Sequence, residues 1–591
     1  MYPLKTSIIL LTYNKLQYTK ACIESIRQYT PKGTYQLIVV DNLSTDGTRD
    51  WLADQMDILT IFNEENVGFP KGCNQGIEIA TGDNILLLNN DVLVTQNWLS
   101  LMNDCLYSSN DIGAVGPVSN SAYGDQEINA TYTTLDEMWD YANNYNIITA
   151  PDWEQKIKLI GFCMLIRKDV VEQIGLLDEI FSPGMCEDGD YSLRIIQAGY
   201  KLMVCRNIFI HHFGSTSFGE MPEQRQQLWA RNRQRFVEKW GFPTAYRSKE
   251  ELVQLIDEPD RQKAIRVLDV NCGSGSALLK VKYHYPAADV YGIEKNVRAA
   301  EFASIFANVK VGKTEEVRLE ENFYDYIILS DVVEQLVNPW SYILDLKSAL
   351  KTDGKIIVSI SNASHYGLLF SLLKNRSLYG DNDVLNDNQL RLFTLTEIQK
   401  LFVQAGFSQI EYSQEQNHTS ETEQQFIDQI AKLSGLNNSD HLKTIRYFLK
   451  ITNQTPSSSM DRIKNLLEQL SGSNKEGQSS VSKIIGMMNE HLIDSSIIID
   501  VMKSLTIDKQ RVYNFLAKKF FEAGLYNDIV PLLNASLELN PKHHDTLYNY
   551  AFILHSVGAS EAALQYLKLM DSEDEESSML LHNVLQSLEG I

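Results

Sequence analysis

Four polar segments follow short apolar runs in the first 100 residues, and they hold side chains suited to binding a nucleotide and a phosphate. Asp41 accepts hydrogen bonds only, which suits the imide or amino edge of a base. Lys71 stands between Gly68 and Gly72, where backbone N–H groups and a point charge can meet a diphosphate. Asp91 ends the fourth segment and offers a carboxylate to a divalent cation. The residues expected to bind the nucleotide and its phosphates are Thr12, Tyr13, Asn14, Asp41, Asn42, Gly68, Lys71, Asn74 and Asn90. The expected metal ligand is Asp91.

The elements that position these segments are apolar runs of strand length at 8–11, 37–40 and 85–88. Runs that are apolar on both faces indicate parallel strands buried between two helix layers. In such a domain the ligand lies at the carboxyl ends of the strands, where the polar segments follow. The sequence therefore predicts an α/β domain over residues 1–250 with a binding site at this edge.

Composition limits the class of partner. The chain has 591 residues, which at ~150 residues per domain predicts about four domains. Its 53 Lys and Arg against 76 Asp and Glu give a net charge of −23, the wrong sign for a nucleic-acid-binding protein. The seven cysteines include no Cys-x-x-Cys pair and none follows Cys272, so we expect a reducing, cytoplasmic location. Neither a secretory signal nor an apolar run of ~20 residues is present, and we expect no transmembrane segment.

The segments 12–14, 41–48, 66–76 and 89–91 resemble those of the family 2 glycosyltransferases, which have the GT-A fold. The resemblance covers about residues 4–240. It implies an inverting enzyme that uses a nucleotide-sugar donor (a UDP-, dTDP- or GDP-sugar) and a divalent metal, Mn²⁺ or Mg²⁺. The usual Asp-x-Asp signature is Asn-Asn-Asp here, which looks like the rhamnosyltransferase-type branch and keeps one carboxylate.

The same resemblance assigns roles in the second half of the domain. Displacement at an anomeric carbon needs a base opposite the leaving diphosphate, and the resemblance places it at Asp188. Glu187 and Asp190 are the alternatives, and all three acidic residues also suit the start of a helix. His211 and His212 end a predicted strand, where only one can face the site. The resemblance and the spacing to Gly214 favour His211 as the second metal ligand.

A second α/β pattern starts near residue 263, where a strand leads into a glycine-containing turn. Such turns bring the backbone close to a ligand, and Glu294 ends the next predicted strand, where a carboxylate can hold ribose hydroxyls. With 330–336, 351–355 and 390–394, the pattern resembles the class I S-adenosylmethionine-dependent methyltransferases over about residues 263–408. The resemblance implies S-adenosylmethionine as cofactor, bound by Asp269, Asn271, Gly273, Gly275, Glu294 and Ser330.

This second pattern departs from its family at three positions. Asn271 replaces the first glycine of the turn, and asparagine also adopts left-handed backbone geometry. Gln335 and Gln389 stand where the family often has histidine, so a titratable group is lost at both positions. Catalytic methylation, cofactor binding without methylation and a purely structural domain all stay open.

The tail from about residue 510 shows an internal repeat of 34 residues. Gly524 recurs as Gly558, and Ala517 recurs as Ala551. This period, with Pro541 after the second helix, is typical of tetratricopeptide repeats, which bind extended peptides or partner proteins. An ordinary pair of helical hairpins is the alternative, and self-association of two chains through the repeats is a further use of the same surface.

The expected fold class is therefore a multidomain α/β protein with an all-α tail. We expect a GT-A domain at 1–250, a Rossmann-like methyltransferase-like domain at 255–412, a helical linker region at 413–509 and the repeats at 510–591. The expected function is sugar transfer to a bacterial protein such as flagellin, with a methyltransferase-like domain that modifies the glycan. The alternative acceptor is a cell-surface polysaccharide or a lipid-linked glycan, with a degenerate second domain.

Overall fold

The computed structural model describes residues 4–122, 124–147, 151–214, 222–243, 249–376, 389–407, 409–434, 439–453, 456–470, 476–489, 493–570 and 574–589. Two compact units divide the chain: one contains residues 1–318 and 328–330, and the other contains residues 319–327 and 331–591. Among the described residues, no helix is both long enough and apolar enough to span a membrane.

The first unit is built on a mixed sheet of nine strands, in the order β3-β2-β1-β4-β8-β6-β9-β5, with β7 paired to β9. The strands β1, β2, β3 and β4 are parallel to one another, and β8 runs antiparallel to β4. The strands are β1 (Thr6–Thr12), β2 (Tyr35–Asp41), β3 (Ile58–Phe62), β4 (Asn84–Asn89), β5 (Val92–Leu93), β6 (Ile112–Ser119), β7 (Trp153–Lys156), β8 (Cys163–Arg167) and β9 (Lys201–His212).

Helices cover both faces of this sheet. Ile9 and Leu87 belong to the core on one face, and Leu10 and Leu86 to the core on the other. This alternation confirms that the apolar runs are strands buried on both sides. The helices are α1 (Leu16–Tyr29), α2 (Thr48–Ala53), α3 (Phe69–Glu78), α4 (Trp98–Leu106), α5 (Leu135–Tyr145), α6 (Lys168–Ile174), α7 (Glu187–Gln197), α8 (Pro222–Trp240) and α9 (Glu250–Val253).

The first unit continues into three parallel strands, β10 (Arg266–Val270), β11 (Asp289–Glu294) and β12 (Asn308–Val311). Helices α10 (Ser276–His284) and α11 (Val297–Ala303) follow β10 and β11, as the strand–turn–helix pattern predicted. Leu279 and Phe302 of these helices belong to the same apolar core as Ile9. The first part of the methyltransferase-like domain therefore shares a core with the glycosyltransferase-like domain.

The second unit contains an antiparallel sheet that the sequence did not predict. After β13 (Tyr324–Ser330) and α12 (Pro339–Ala349), strand β14 (Leu350–Ser361) pairs with β16 (Thr444–Thr452), and β16 pairs with β15 (Gln409–Gln416). The prediction of a helical linker over 413–509 is wrong for β16 and for the end of β15, which follow β14 in the strand order of one sheet. The intervening helices are α13 (Tyr366–Leu373), α14 (Leu395–Gln404), α15 (Glu421–Leu433) and α16 (Asp440–Lys443).

The tail is helical and begins earlier than predicted. Ile463, Leu467 and Tyr550 belong to one apolar core, so the helices from 456 to the middle of α22 pack together. The last two helices pack around a second, smaller cluster that includes Ala563 and Val584. Gly524 and Gly558 both follow the first helix of a hairpin with a left-handed φ, +77° and +83°, which gives the 34-residue period a structural counterpart. The helices are α17 (Pro456–Leu470), α18 (Glu476–Asn489), α19 (Ser495–Lys503), α20 (Lys509–Glu522), α21 (Ile529–Leu539), α22 (His544–Ser556), α23 (Ser560–Leu567) and α24 (Glu575–Glu589).

Candidate active site

The carboxyl ends of β1, β2 and β4 lie side by side, because Thr12 pairs with Asp41 and Leu11 pairs with Asn89 in parallel register. Asp41 is fully buried, and its Oδ2 accepts a hydrogen bond from the Ser44 N–H at 3.1 Å. Its Oδ1 is buried with no hydrogen-bond partner among the described residues. A buried carboxylate oxygen without a donor is costly, so this oxygen is a suitable acceptor for the base of a nucleotide.

Three of the residues predicted to bind the nucleotide-sugar donor form hydrogen bonds that stabilise the loops at these strand ends. Asn14 has a left-handed φ of +57°, and its Oδ1 accepts a hydrogen bond from the Thr45 N–H at 2.7 Å. Asn90 donates from Nδ2 to the Thr12 hydroxyl at 3.3 Å. Tyr13, by contrast, is 46% exposed. These contacts fix the shape of the strand ends and leave the Tyr13 ring facing solvent.

Other predicted donor residues have structural partners of their own. Asn74 is buried, and its amide exchanges two hydrogen bonds with the backbone of Leu177 at 2.9 and 3.0 Å. The Asn42 Nδ2 donates to the Gly68 carbonyl at 3.3 Å. Lys71 is exposed on the first turn of α3. Of this group, only Lys71 has the freedom to reach a diphosphate; the roles assigned to Gly68, Asn42 and Asn74 stay predictions.

The two adjacent histidines at the end of β9 have different neighbours. His212 Nε2 lies 3.1 Å from Asp91 Oδ1, whereas His211 Nδ1 lies 2.6 Å from the Tyr132 hydroxyl. Burial, with the neighbouring His212, lowers the pKa of His211 to about 4. Burial also acts to lower the pKa of His212, but the hydrogen bond to Asp91 outweighs it and the pKa is raised. The structure therefore pairs Asp91 with His212 rather than with the predicted His211, and metal ligation itself stays a prediction.

A divalent cation fits this pair in donor chemistry. One carboxylate and one imidazole supply two protein ligands, and a bound diphosphate supplies oxygens for the rest of the shell. Among the described residues, no group of three or more His, Cys, Asp and Glu side chains is arranged to hold a metal ion by itself. The site thus suits a cation that enters together with the nucleotide.

Asp188, at the start of α7, is held by a cation and a backbone donor. Its Oδ1 lies 3.1 Å from Lys158 Nζ, and its Oδ2 accepts a hydrogen bond from the Gly161 N–H at 3.3 Å. Burial acts to lower the pKa of Lys158, but the charge of Asp188 outweighs it and raises that pKa. A second backbone donor, the Gly189 N–H, bonds Asp188 Oδ1 at 2.7 Å. Asp188 is thus oriented by Lys158 and by two backbone N–H groups, and its carboxylate remains partly accessible.

Glu187 and Asp190 have other surroundings. Burial, with the neighbouring charge of Asp188, raises the pKa of Glu187 to about 8, and its Oε2 is buried without a partner among the described residues. Asp190 is fully buried and contacts Trp240 Nε1 at 2.9 Å and Lys239 Nζ at 2.6 Å. It anchors α8 to α7, so its carboxylate is already used within the fold, whereas Asp188 remains partly accessible.

The segment 160–162 joins these groups into one site. The Gly161 N–H bonds Asp188, and the Phe162 carbonyl accepts a hydrogen bond from the Asn89 N–H at 2.9 Å. The Phe162 ring also stacks on the His212 ring at 5.4 Å, with an interplanar angle of 16°. The candidate base, the Asp91–His212 pair and the end of β4 are therefore neighbours around three consecutive residues.

The second site lies at the turn between β10 and α10. Asn271 has the expected left-handed φ of +57°, and a Cβ added at Gly273 would meet open space. Glu294 accepts hydrogen bonds from the backbone N–H groups of Gly273 and Asn296 at 2.9 and 2.8 Å. Each carboxylate oxygen retains a lone pair, so Glu294 and the open space over Gly273 fit the ribose of S-adenosylmethionine.

Asp269 does not show the same freedom. It is fully buried, and Lys249 Nζ lies 3.0 and 3.2 Å from its two carboxylate oxygens. Gly275 approaches Phe306, since an added Cβ would lie 2.5 Å from that ring. Asp269 and Gly275 therefore have roles within the fold. Ser330 is the last residue of β13. Cofactor binding by Asp269, Gly275 and Ser330 stays a prediction.

Sequence reasoning missed Lys158 and Lys249, and it favoured His211 over His212. Lys158 and Lys249 each pair with an aspartate 20 or more residues away, and no local pattern marks such a pair. His212 carried a signal, because strand alternation already required one of the two histidines to point away from the site.

Comparison with known proteins supports two domain types. Residues 7–175 match the model of glycosyl transferase family 2, and residues 221–412 match that of a methyltransferase domain. These matches support the fusion of a family 2 glycosyltransferase domain with a methyltransferase domain that the resemblances predicted.

Similar proteins match the first domain. Glycosyltransferase AglE of Haloferax volcanii is 26% identical over 227 residues, which are 37% of this chain and 70% of that protein. Glucosyl-dolichyl phosphate glucuronosyltransferase of the same organism is 27% identical over 117 residues, 19% of this chain and 37% of that protein. The mannosyltransferase PcManGT of Pyrobaculum calidifontis, solved with GDP-Man and Mn²⁺, has 18% identity and a TM-score of 0.30, covering 41% of this chain and 64% of that one.

Proposed function

We propose that the chain is an inverting glycosyltransferase that transfers a sugar from a nucleotide-sugar donor, with Asp188 as the general base. The observation that carries this proposal is the segment 160–162, which brings Asp188 beside the Asp91–His212 pair. A base and a diphosphate site must lie on either side of one anomeric carbon, and two such groups around three residues meet that requirement.

In this proposal the donor base binds at Asp41 and the diphosphate near Lys71. Asp91 and His212 would hold the divalent cation, which stabilises the negative charge of the leaving diphosphate. The acceptor hydroxyl oxygen forms the new bond to the anomeric carbon as the bond to the diphosphate oxygen breaks. Asp188 takes the hydroxyl proton, and the Lys158 ammonium keeps Asp188 oriented before that step.

Asp188→Asn tests the proposal. The amide keeps the size of the side chain but does not accept a proton at neutral pH, so kcat should fall by ~10²–10⁴ while nucleotide affinity stays near wild type. The measurement is donor turnover with Mn²⁺ or Mg²⁺ over a panel of UDP-, dTDP- and GDP-sugars. Glu187→Gln is the matched control, and the base moves to Glu187 if that variant loses activity while Asp188→Asn retains it.

The acceptor is proposed on a different observation. One relative carries the name of an enzyme acting on glucosyl-dolichyl phosphate, which favours the lipid-linked alternative over a protein such as flagellin. We therefore propose a glycan acceptor and assign the tail helices to docking a partner or a second chain. In vitro transfer to a lipid-linked glycan, compared with transfer to flagellin, separates the two acceptors.

A further inference from the structure

A cavity of about 630 Å³ opens beside the candidate active site, lined by the segment that follows β6. Its volume lies within the range of small-molecule sites. The polar side chains at its wall are Asn120, Glu127, Asn129 and Tyr132, and the apolar side chains there are Ile128 and Ala130. No lysine, arginine or histidine belongs to this lining among the described residues.

One edge of the cavity connects to the Asp91–His212 pair. The Asn120 side chain donates to the His212 carbonyl at 3.2 Å and accepts from the His212 N–H at 3.0 Å. The Tyr132 hydroxyl contacts the ring of His211. Two wall residues are therefore fixed to the end of β9, at which His212 meets Asp91.

The other edge connects to the candidate base. Gln126, buried next to the wall residue Glu127, accepts a hydrogen bond from the Ile160 N–H at 2.7 Å. The following residue, Gly161, donates to Asp188. The cavity is thus attached to both halves of the site through two amides, the half-buried Asn120 and the buried Gln126, whereas Glu127 and Asn129 are exposed.

The chemistry of the wall indicates the class of ligand. Glu127, which forms an isolated parallel bridge with Ser119, and Asn129 are both exposed and both line this cavity. A carboxylate and an amide provide acceptors and donors that match neighbouring hydroxyl groups, and the Tyr132 ring offers an apolar face. A lone carboxylate without a cation repels phosphates and acidic sugars.

We propose that this cavity binds the terminal sugar of the acceptor, as an uncharged, hydroxyl-rich glycoside, with Glu127 and Asn129 as its hydrogen-bonding residues. The proposal rests on the proposed function, because only a glycosyltransferase needs an acceptor sugar between Asp188 and the Asp91–His212 pair. It adds the class of acceptor and the residues that select it.

The test measures binding of three methyl glycosides to the full chain by saturation-transfer NMR: methyl glucoside, methyl N-acetylglucosaminide and the acidic methyl glucuronide. Wild type should bind the two neutral glycosides and prefer them to the glucuronide. The Glu127→Ala, Asn129→Ala double variant should bind them at least ~10-fold more weakly, at about 1 kcal/mol for each lost hydrogen bond. Glu127→Lys should reverse the preference towards the glucuronide, and Glu172→Ala, an exposed carboxylate on α6, should behave as wild type.

Binding of UDP, GDP and dTDP to the same samples separates the two proposals. Nucleotide binding by wild type without binding of any glycoside overturns the cavity proposal and leaves the proposed function standing. Glycoside binding without any nucleotide binding contradicts the proposed function instead. Unchanged glycoside affinity in the double variant, or an unchanged preference in Glu127→Lys, also overturns the assignment of Glu127 and Asn129.

Discussion

Replacement of Lys158 by methionine should impair the candidate base without altering its backbone. Both side chains of the ion pair are largely buried, at 16% exposure for Lys158 and 14% for Asp188, and the charges lie 3.1 Å apart. At an effective dielectric constant of ~20, this distance gives a gross attraction of about 5 kcal/mol. The substitution also removes the desolvation cost of burying the Lys158 ammonium, which offsets part of this lost attraction. We expect a net loss of roughly 1.4–2.8 kcal/mol, which is about 10- to 100-fold in turnover.

The assay is the pH dependence of donor turnover. The Lys158 ammonium acts to lower the pKa of Glu187, the neighbour of the candidate base, so its loss should move the acidic limb of the kcat profile to higher pH in Lys158→Met. Lys158→Arg keeps the cation and should retain the wild-type limb. A purely structural role would lower kcat in both variants at every pH and leave the limb in place. An unchanged profile and kcat in Lys158→Met would refute the reasoning.

Three further predictions concern other parts of the chain. The pKa of Glu187 has its ordinary value of 4.5 in the unfolded chain and is raised by burial to about 8 in the folded chain. The free energy of unfolding of wild type should therefore fall as pH rises between these two values. Glu187→Gln does not titrate, so its Tm should gain on that of wild type as pH rises from 5 to ~8. Addition of S-adenosylhomocysteine should raise Tm of wild type and not of Glu294→Ala in a thermal shift assay, if the second domain binds the cofactor. Deletion of 456–589 should spare donor hydrolysis and raise the KM for a protein or lipid-linked acceptor. A deletion that starts at 510 should lower Tm, because it divides the apolar core that contains both Leu467 and Tyr550.

The sequence predicted strands well where burial on both faces left a continuous apolar run. It failed at β15, where the segment from Gln409 to Gln416 is exposed along most of its length. An edge strand with polar side chains on both faces has neither an apolar run nor a two-residue alternation. Its pairing with β16 places Glu411 beside Lys450 and Tyr412 beside Tyr447, contacts between residues more than 30 positions apart that local patterns do not report.

The candidate site was predictable as a set of strand ends and less so as a set of contacts. Asp41 and Asp188 could be predicted because each lies in a recognisable local sequence pattern, Asp41 at the end of an apolar run and Asp188 in an acidic segment that starts a helix. Their partners could not, since Lys158 is 30 residues from Asp188 in the chain and meets it only after α7 packs beside the segment 160–162. Contacts of this kind depend on the tertiary fold rather than on local spacing.

The glycines of α3 show why a motif can be right about a site for a different physical reason. A Cβ added at Gly72 would lie 2.3 Å from the Leu11 side chain, and one at Gly76 would lie 2.5 Å from Ile9. Both glycines therefore allow α3 to pack closely on β1, whether or not a diphosphate binds. An alanine at either position would disturb that packing, so lost activity would report on the fold rather than on the ligand. Asp41 is the better probe of nucleotide binding, because its buried Oδ1 has no hydrogen-bond partner among the described residues.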